Sequence, residues 1–490
     1  MRFVGAVVVL LVCAASVGPM VAPGGSHGTP TEAKTHPPDP STDVIGWENG
    51  YWYNESIAVN QRDGLSDAEL KAYVGRSMAR VEFIRKEEFT RSVDVKSLPR
   101  DEYRDLVRRQ SANEYTPPQR AWENQVWEGL FVTGERADAA RQQTRLYQRR
   151  VLGFYLPGED QIYVISDGTR RIDNATLIHE FTHAMQDQHV DLSSSELESK
   201  TMDARRAHDG LAEGEASYVE KRYTNRCGNS WKCVPKPGVG PKRTPYGGGP
   251  LPDFNLAMQV ALIQPYSDGP AYVASTFDSG GWEAVTKQYQ NPPEASTAVI
   301  HPEKRTDPPV SLRLGEQARN GWKLYGKRGE SGSQTVGETG IYTMFWYQGR
   351  AEGNPIIRWQ SFTDPEEGTF DLFNYTSTPS DGWANDRLWP YHKGKQRGYV
   401  WRTEWETERD ATEFQRAYRD LLRGQNATRV GPSTWRIEEG PFADAFRIER
   451  HGRTVTIVNG PTVEDLNDIR PTASTERKTQ NRKMRMSQIR

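Results

Sequence analysis

The chain has 490 residues, 63 of them basic and 65 acidic, for a formal net charge of −2 at pH 7, a balance that carries no footprint of a nucleic-acid binder or of an anionic tail. Hydrophobic residues at 35%, with 14 Trp, 21 Tyr and 15 Phe, are enough to build real cores. The length exceeds what one core usually serves, so two or three domains of a soluble globular protein with long loops are expected.

In chain order, Met1-Arg2 is followed by FVGAVVVLLVCAASV, an apolar run of signal-peptide length and shorter than the ~20 residues of a membrane span. Small residues for cleavage stand at Ala14-Ala15-Ser16 and at Met20-Val21-Ala22. Residues 1–22 are therefore expected to be a signal peptide, and the chain to be secreted or held at the cell surface. No later apolar stretch is long enough to span a bilayer. Residues 23–45 are rich in Pro, Gly, Ser and Thr and read as a flexible linker.

Residues 46–150 read as mainly helical. LSDAELKAYVGRSMARVEFIRK (65–86) has helical spacing of apolar residues, with Ser66 and Asp67 as start signals. From Val151 the pattern changes: VLGFY and QIYVISDG are β-rich runs on either side of LPGED, a hairpin signal. The stretch 234–252 has no periodicity and reads as a loop, and 326–334 as a breaker-rich junction. Residues 151–325 are expected to form one core and 336–470 a smaller α+β domain. That domain has a strand at RGYVWRTEWET, a helix at ERDATEFQRAYRDLLRG stopped at Gly424, and a hairpin around His451-Gly452. Residues 471–490 read as a disordered basic tail.

Beyond the leader only Cys227 and Cys233 remain, in CGNSWKC, and an oxidising compartment would join them in a local disulfide. Asn54, Asn174, Asn374 and Asn426 stand in Asn-x-Ser/Thr triplets, as a glycoprotein would have.

The chain holds nine histidines, three of them within HEFTHAMQDQH (179–189). Residues i and i+4 of a helix share a face, so His179 and His183 point together, as two imidazoles gripping one ion must. Glu180 is turned about 100° from His179 and sits beside the ion without ligating it, the place of a general base that takes a proton from an activated water. Asp173 or Asn174 can cap this helix, and Leu177, Ile178, Phe181, Ala184 and Met185 can pack it.

Zinc needs a third ligand, and two routes compete. His189 stands at the H-E-x-x-H-x-x-G-x-x-H spacing, but Gln186 replaces the Gly that breaks that helix, and a continuous helix turns His189 about 240° from His183. The other route is a later helix, DARRAHDGLAEGEASYVEKRY (203–223), carrying Glu213, Glu215 and Glu220. A helical wheel puts Glu215 in the apolar stripe and Glu213 opposite it, which does not decide between them. For an oxyanion donor, His208, Tyr218, Tyr266, Tyr272 and His301 are candidates. There is no G-x-S-x-G, P-loop or dinucleotide fingerprint.

LAEGEASYVE resembles the glutamate motif of the zinc aminopeptidase branch of the gluzincins, in which the Glu before the Gly is the third ligand. That implies Glu213, with Glu215 in reserve. The G-x-M-E-N segment that anchors a substrate amine in those enzymes does not occur in this chain. Across its length, from GWENGYWYNESIAVN through ENQVWEGLFVTGE, VLGFYLPGEDQIYV and HEFTHAMQDQH to the C-terminal helix, the chain resembles an uncharacterised haloarchaeal surface-protein family with a zincin motif. That likeness implies a surface location and a metallopeptidase fold.

The expected fold is α+β: a zincin-like metallopeptidase core with a helical N-terminal region and a small α+β C-terminal domain. The expected activity is zinc-dependent hydrolysis of a peptide or protein substrate, with QIYVISD as an edge strand holding the peptide. A non-catalytic surface or adhesion protein retaining the same fold is the alternative.

Overall fold

The computed structural model describes residues 9–12, 37–166, 168–194, 197–237, 254–304, 310–315, 317–326, 329–349, 356–365 and 370–472. Most of the expected leader, most of the 234–252 loop and nearly all of the C-terminal tail lie outside these residues. The described part of the leader is a strand, β1 (Val9–Val12). A short hairpin follows, β2 (Trp47–Glu48) with β3 (Tyr51–Trp52).

Helix α1 (Asp67–Arg85) begins where Ser66 accepts the Glu69 N–H while the Glu69 side chain reaches back to the Ser66 N–H, and it stops at Lys86 in the left-handed region. Then come β4 (Asp94–Pro99), α2 (Arg100–Glu114), α3 (Pro117–Gly129) and α4 (Ala139–Arg150). The N-terminal region is thus largely helical, as its periodicity predicts, but it also lends a strand to the sheet that follows.

β5 (Val151–Leu156) and β6 (Gln161–Ser166) form the expected antiparallel hairpin, closed by a turn in which Gly158 and Asp160 have positive φ. The sheet order is β1-β5-β6-β4, with β4 parallel to β6 and β1 antiparallel to β5. This corrects one expectation. The described part of QIYVISD, β6, is an interior strand between β5 and β4, so it has no free edge to offer a peptide. The signal for β4 was weak because DVKSLP alternates poorly and ends in proline.

Behind this sheet lie α5 (Asn174–Val190), α6 (Met202–Thr224), α7 (Leu256–Gln288) and α8 (Ser296–Ile300). Helix α7 runs through Pro265 and Pro270 and kinks at Gly280–Gly281, where Gly281 adopts a φ of 68° that side-chained residues avoid. Cys227 and Cys233 are joined in a disulfide just beyond α6. The buried Arg80 guanidinium stacks on Trp231 between those cysteines and on Tyr223, holding the loop to α1.

The remainder is a seven-stranded sheet with its helices. β7 (Lys323–Leu324) precedes α9 (Gly337–Gln348), then come β8 (Trp383–Lys393), β9 (Gln396–Trp405), α10 (Glu408–Gly424), β10 (Thr428–Arg429), β11 (Thr434–Arg436), β12 (Ala445–His451), β13 (Thr454–Gly460) and α11 (Val463–Ile469). The sheet order is β10-β11-β12-β13-β9-β8-β7. Alternation along β9 serves two cores: Tyr399 and Trp401 join a cluster with α10, α9, α7 and α3, whereas Val400 faces Trp322, Leu466 and Ile469 on the other side. The first cluster draws on residues from both sides of the expected 325/336 boundary. The whole is a mixed α+β architecture, and among the described residues no helix is long and apolar enough to cross a membrane.

Candidate metal centre

Helix α5 owes its start to Asp173, whose carboxylate accepts the N–H groups of Ala175 and Thr176; of the two possible caps this is the one used, and Asn174 turns instead to the Val234 carbonyl. Leu177, Ile178, Phe181, Ala184 and Met185 are buried, and so are His179, Glu180, Thr182 and His183, each 0% exposed. A helix buried all round must satisfy its polar side chains from its neighbours.

The neighbour that does so is α6. It lies unusually close to α7: an ideal Cβ on Gly214 would stand 2.4 Å from the Gly269 carbonyl oxygen. Glycine at this crossing lets α7 approach, and one turn before Gly269 the Tyr266 hydroxyl donates to Glu213 Oε1 at 2.7 Å. The other oxygen, Oε2, is held toward α5, 3.0 Å from His179 Nε2 and 3.3 Å from His183 Nε2. The two imidazoles stand 4.7 Å apart between centroids, and one ligand atom from each of the three residues lies within 4.8 Å of the others.

The far ring atoms also face partners, a full hydrogen bond for His183 and only a long ion-pair approach for His179. His179 Nδ1 lies 3.5 Å from Glu220 Oε2, and His183 Nδ1 lies 2.7 Å from Gln186 Oε1. A partner on Nδ1 fixes the tautomer that leaves Nε2 for an ion. Gln186 is anchored in turn, donating to the Ala212 carbonyl and to the Tyr289 hydroxyl, while Tyr289 donates to Glu215 Oε2 at 2.7 Å.

Glu180 lies over Gly153 of β5, where a Cβ would come within 3.2 Å of Glu180 Oε1. Among the described residues neither of its oxygens completes a full hydrogen bond, although the Tyr155 backbone favours its charged form. Burial, helped by the fields of Glu213 and Glu220, pushes its carboxyl up to about 8 against the pull of His179. Burial pulls His179 down, but hydrogen bonding to Glu213 and Glu220 overrides it and carries the ring up to about 10. For His183 burial wins and its value falls. Glu213 is held below the ordinary carboxylate range, because the imidazoles outweigh its burial. Two imidazole nitrogens and a carboxylate oxygen thus converge in a buried site beside Glu180, and the proton that His179 shares with Glu213 stands where a cation would displace it.

The other candidates sit elsewhere. His189 Nε2 meets the Glu88 carbonyl at 2.8 Å and Nδ1 lies 3.4 Å from Glu87, at the far end of α5, because the unbroken helix carries it around. Glu215 is held away from the imidazoles by Arg85 at 2.6 Å and by Tyr289. Among the candidate oxyanion donors, Tyr266 serves Glu213, Tyr218 accepts from Arg222, Tyr272 donates to Gln288, His208 meets Ser199 and the Leu197 carbonyl, and His301 meets Glu338. Sequence reasoning missed the roles of Gln186, Tyr289 and Arg85. Only Gln186 left a signal, standing three residues after His183 on the same face.

Residues 323–470 match a family described as a domain of unknown function (DUF8575). No curated protein and no solved structure matches the chain. The matched residues run from β7 to the end of α11, so the His179–His183–Glu213 centre lies outside them and its reading rests on its own chemistry.

Proposed function

We propose that the chain is a zinc-dependent metallopeptidase with a zincin-like core, cleaving a peptide or protein substrate outside the cell or at its surface. The observation that carries this reading is the convergence of His179 Nε2, His183 Nε2 and Glu213 Oε2 beside a buried Glu180 whose oxygens complete no full hydrogen bond among the described residues. Two imidazoles and a carboxylate suit zinc with one position left open. His179, His183 and Glu213 would hold the ion. When bound, it supplies Lewis-acid polarisation of the scissile carbonyl and acidifies a water.

The protein's own groups do the rest. Gln186 and Glu220 orient the rings, and Tyr266 keeps Glu213 Oε2 turned inward. Glu180 takes the proton of the attacking water on a carboxylate oxygen and passes it to the departing amine. Its burial excludes competing water and strengthens each charge interaction. We place the substrate on the outer edge of β5, which crosses over Glu180 and already accepts Val9–Val12 as an antiparallel strand. The disulfide fits an oxidising location.

A non-catalytic surface protein is favoured by one observation, the complete burial of His179, Glu180 and His183. Against it stands Glu180, for which a purely structural ion has no use. The deciding experiment compares wild type, His183→Ala and Glu180→Gln for metal content and for cleavage of a peptide library. One zinc fewer in His183→Ala than in wild type, with zinc kept and cleavage lost in Glu180→Gln, supports the enzyme. Zinc without cleavage in wild type, or no metal at the His183 site, overturns the enzyme and supports the alternative.

A further inference from the structure

We infer that the chain carries a second divalent-cation site, formed by His301, Glu338 and Asp381, which takes a zinc- or manganese-type ion and clamps the helices behind the small sheet to the seven-stranded sheet. It does not depend on the peptidase reading.

The three side chains come from separate segments: His301 just after α8, Glu338 in the first turn of α9, and Asp381 in the turn before β8. One ligand atom from each lies within 4.8 Å of the others. His301 Nε2 is 3.0 Å from Glu338 Oε1. The decisive atom is Glu338 Oε2. The Glu338 side chain is 0% exposed, and this second oxygen has no hydrogen-bond partner. A buried carboxylate oxygen without a donor is costly, and a protonated His301 satisfies only the other one. A cation accepted between His301, Glu338 and Asp381 satisfies both.

Local charge points the same way. Glu303 Oε1 lies 3.8 Å from His301 Nδ1, and Lys304 Nζ lies 2.8 Å from Glu406 and 3.9 Å from Asp381. Among the described residues, Glu303, Glu338 and Asp381 thus lie around His301, and the nearby Lys304 is engaged mainly by Glu406. One imidazole and two carboxylates form a mixed nitrogen and oxygen set that favours zinc or manganese over calcium or magnesium, and the exposed Asp381 side leaves room for water ligands. Such an ion would be structural, because its ligands tie together three separate segments and, among the described residues, no buried carboxyl stands beside it in the way Glu180 stands beside His179.

The test uses the full chain, stripped with a chelator and titrated with Zn2+ or Mn2+ alone, with stoichiometry read by mass spectrometry and stability by thermal melting. Wild type is expected to bind two ions and His183→Ala one. In the His183→Ala background, His301→Ala and, separately, Asp381→Asn are expected to abolish the remaining ion and the rise in melting temperature that it brings. Asp381→Asn keeps an acceptor for the Gly382 N–H, so it leaves the turn intact if the histidine variant fails to fold. A single ion that vanishes with His183→Ala overturns this site and leaves the peptidase reading standing. A single ion that survives His183→Ala but is lost with Asp381→Asn does the reverse. An ion indifferent to both His301→Ala and Asp381→Asn overturns the assignment.

Discussion

Gln186 accepts from His183 Nδ1 at 2.7 Å from one helical turn further along α5. At this position a glycine would end the helix; the glutamine continues it and serves as the imidazole's orienting partner. Its amide nitrogen, bound to Ala212 O and Tyr289, fixes which way the side chain faces. Replacing it by leucine keeps the volume but frees His183 to rotate. Gln186→Leu is expected to bind zinc about 10–100-fold more weakly, measured by competition with a chromophoric chelator. Unchanged affinity would show that the ring is held by packing alone.

Gly214 separates Glu213 from Glu215 and presses against Gly269. A methyl group there has no room, so α6 and α7 must part. Gly214→Ala is expected to destabilise the fold by about 1–3 kcal/mol and to move Tyr266 off Glu213. Urea melts and metal titration of the same variant check both effects, and a wild-type melting curve would contradict the crossing described above.

A buried carboxyl remote from the centre gives a pH signature. Asp444, just before β12, is pushed up to about 7, chiefly by burial, with Glu135 and Asp465 adding to the effect and Asn459 and Arg436 opposing it. An ordinary aspartate titrates near pH ~4 in the unfolded chain. Between these values the folded chain holds a proton that the unfolded chain has released, so this contribution is present at low pH and is lost as pH rises toward about 7. Asp444→Asn, which retains an acceptor for Asn459, is expected to flatten the stability profile across that window. Denaturant midpoints from pH 4 to 8 would reveal an unchanged slope if Asp444 is not responsible.

β1 pairs with β5 and packs against α5, so a peptide laid on β5 has to displace Val9–Val12. A chain lacking residues 1–22 is expected to cleave peptides with a higher kcat/KM than the full chain, mostly through a lower KM. Equal values in the two would remove β5 as the substrate strand.

Local signals determined much of this molecule. The i and i+4 histidines, the Asp173 cap, the Pro-Gly hairpin, the amphipathic α10 and the paired cysteines are all short-range features, and their geometry follows from helix and strand periods that a sequence displays directly. Others were hidden for identifiable reasons. The prolines at 265 and 270 masked the first part of α7, which forms against α6 at the Gly214–Gly269 crossing despite its low propensity. β6 alternates like any strand, so nothing local tells whether it lies at the edge or inside; β4, some sixty residues earlier, decided that. The choice between Glu213 and Glu215 is the sharpest case. Both sit on α6 two positions apart and a helical wheel cannot rank them. Tyr266 from α7 turns Glu213 toward the imidazoles, while Arg85 from α1 and Tyr289 beyond the kink hold Glu215 away. A buried carboxylate goes where its partners are, and those partners come from segments that only the tertiary structure brings together.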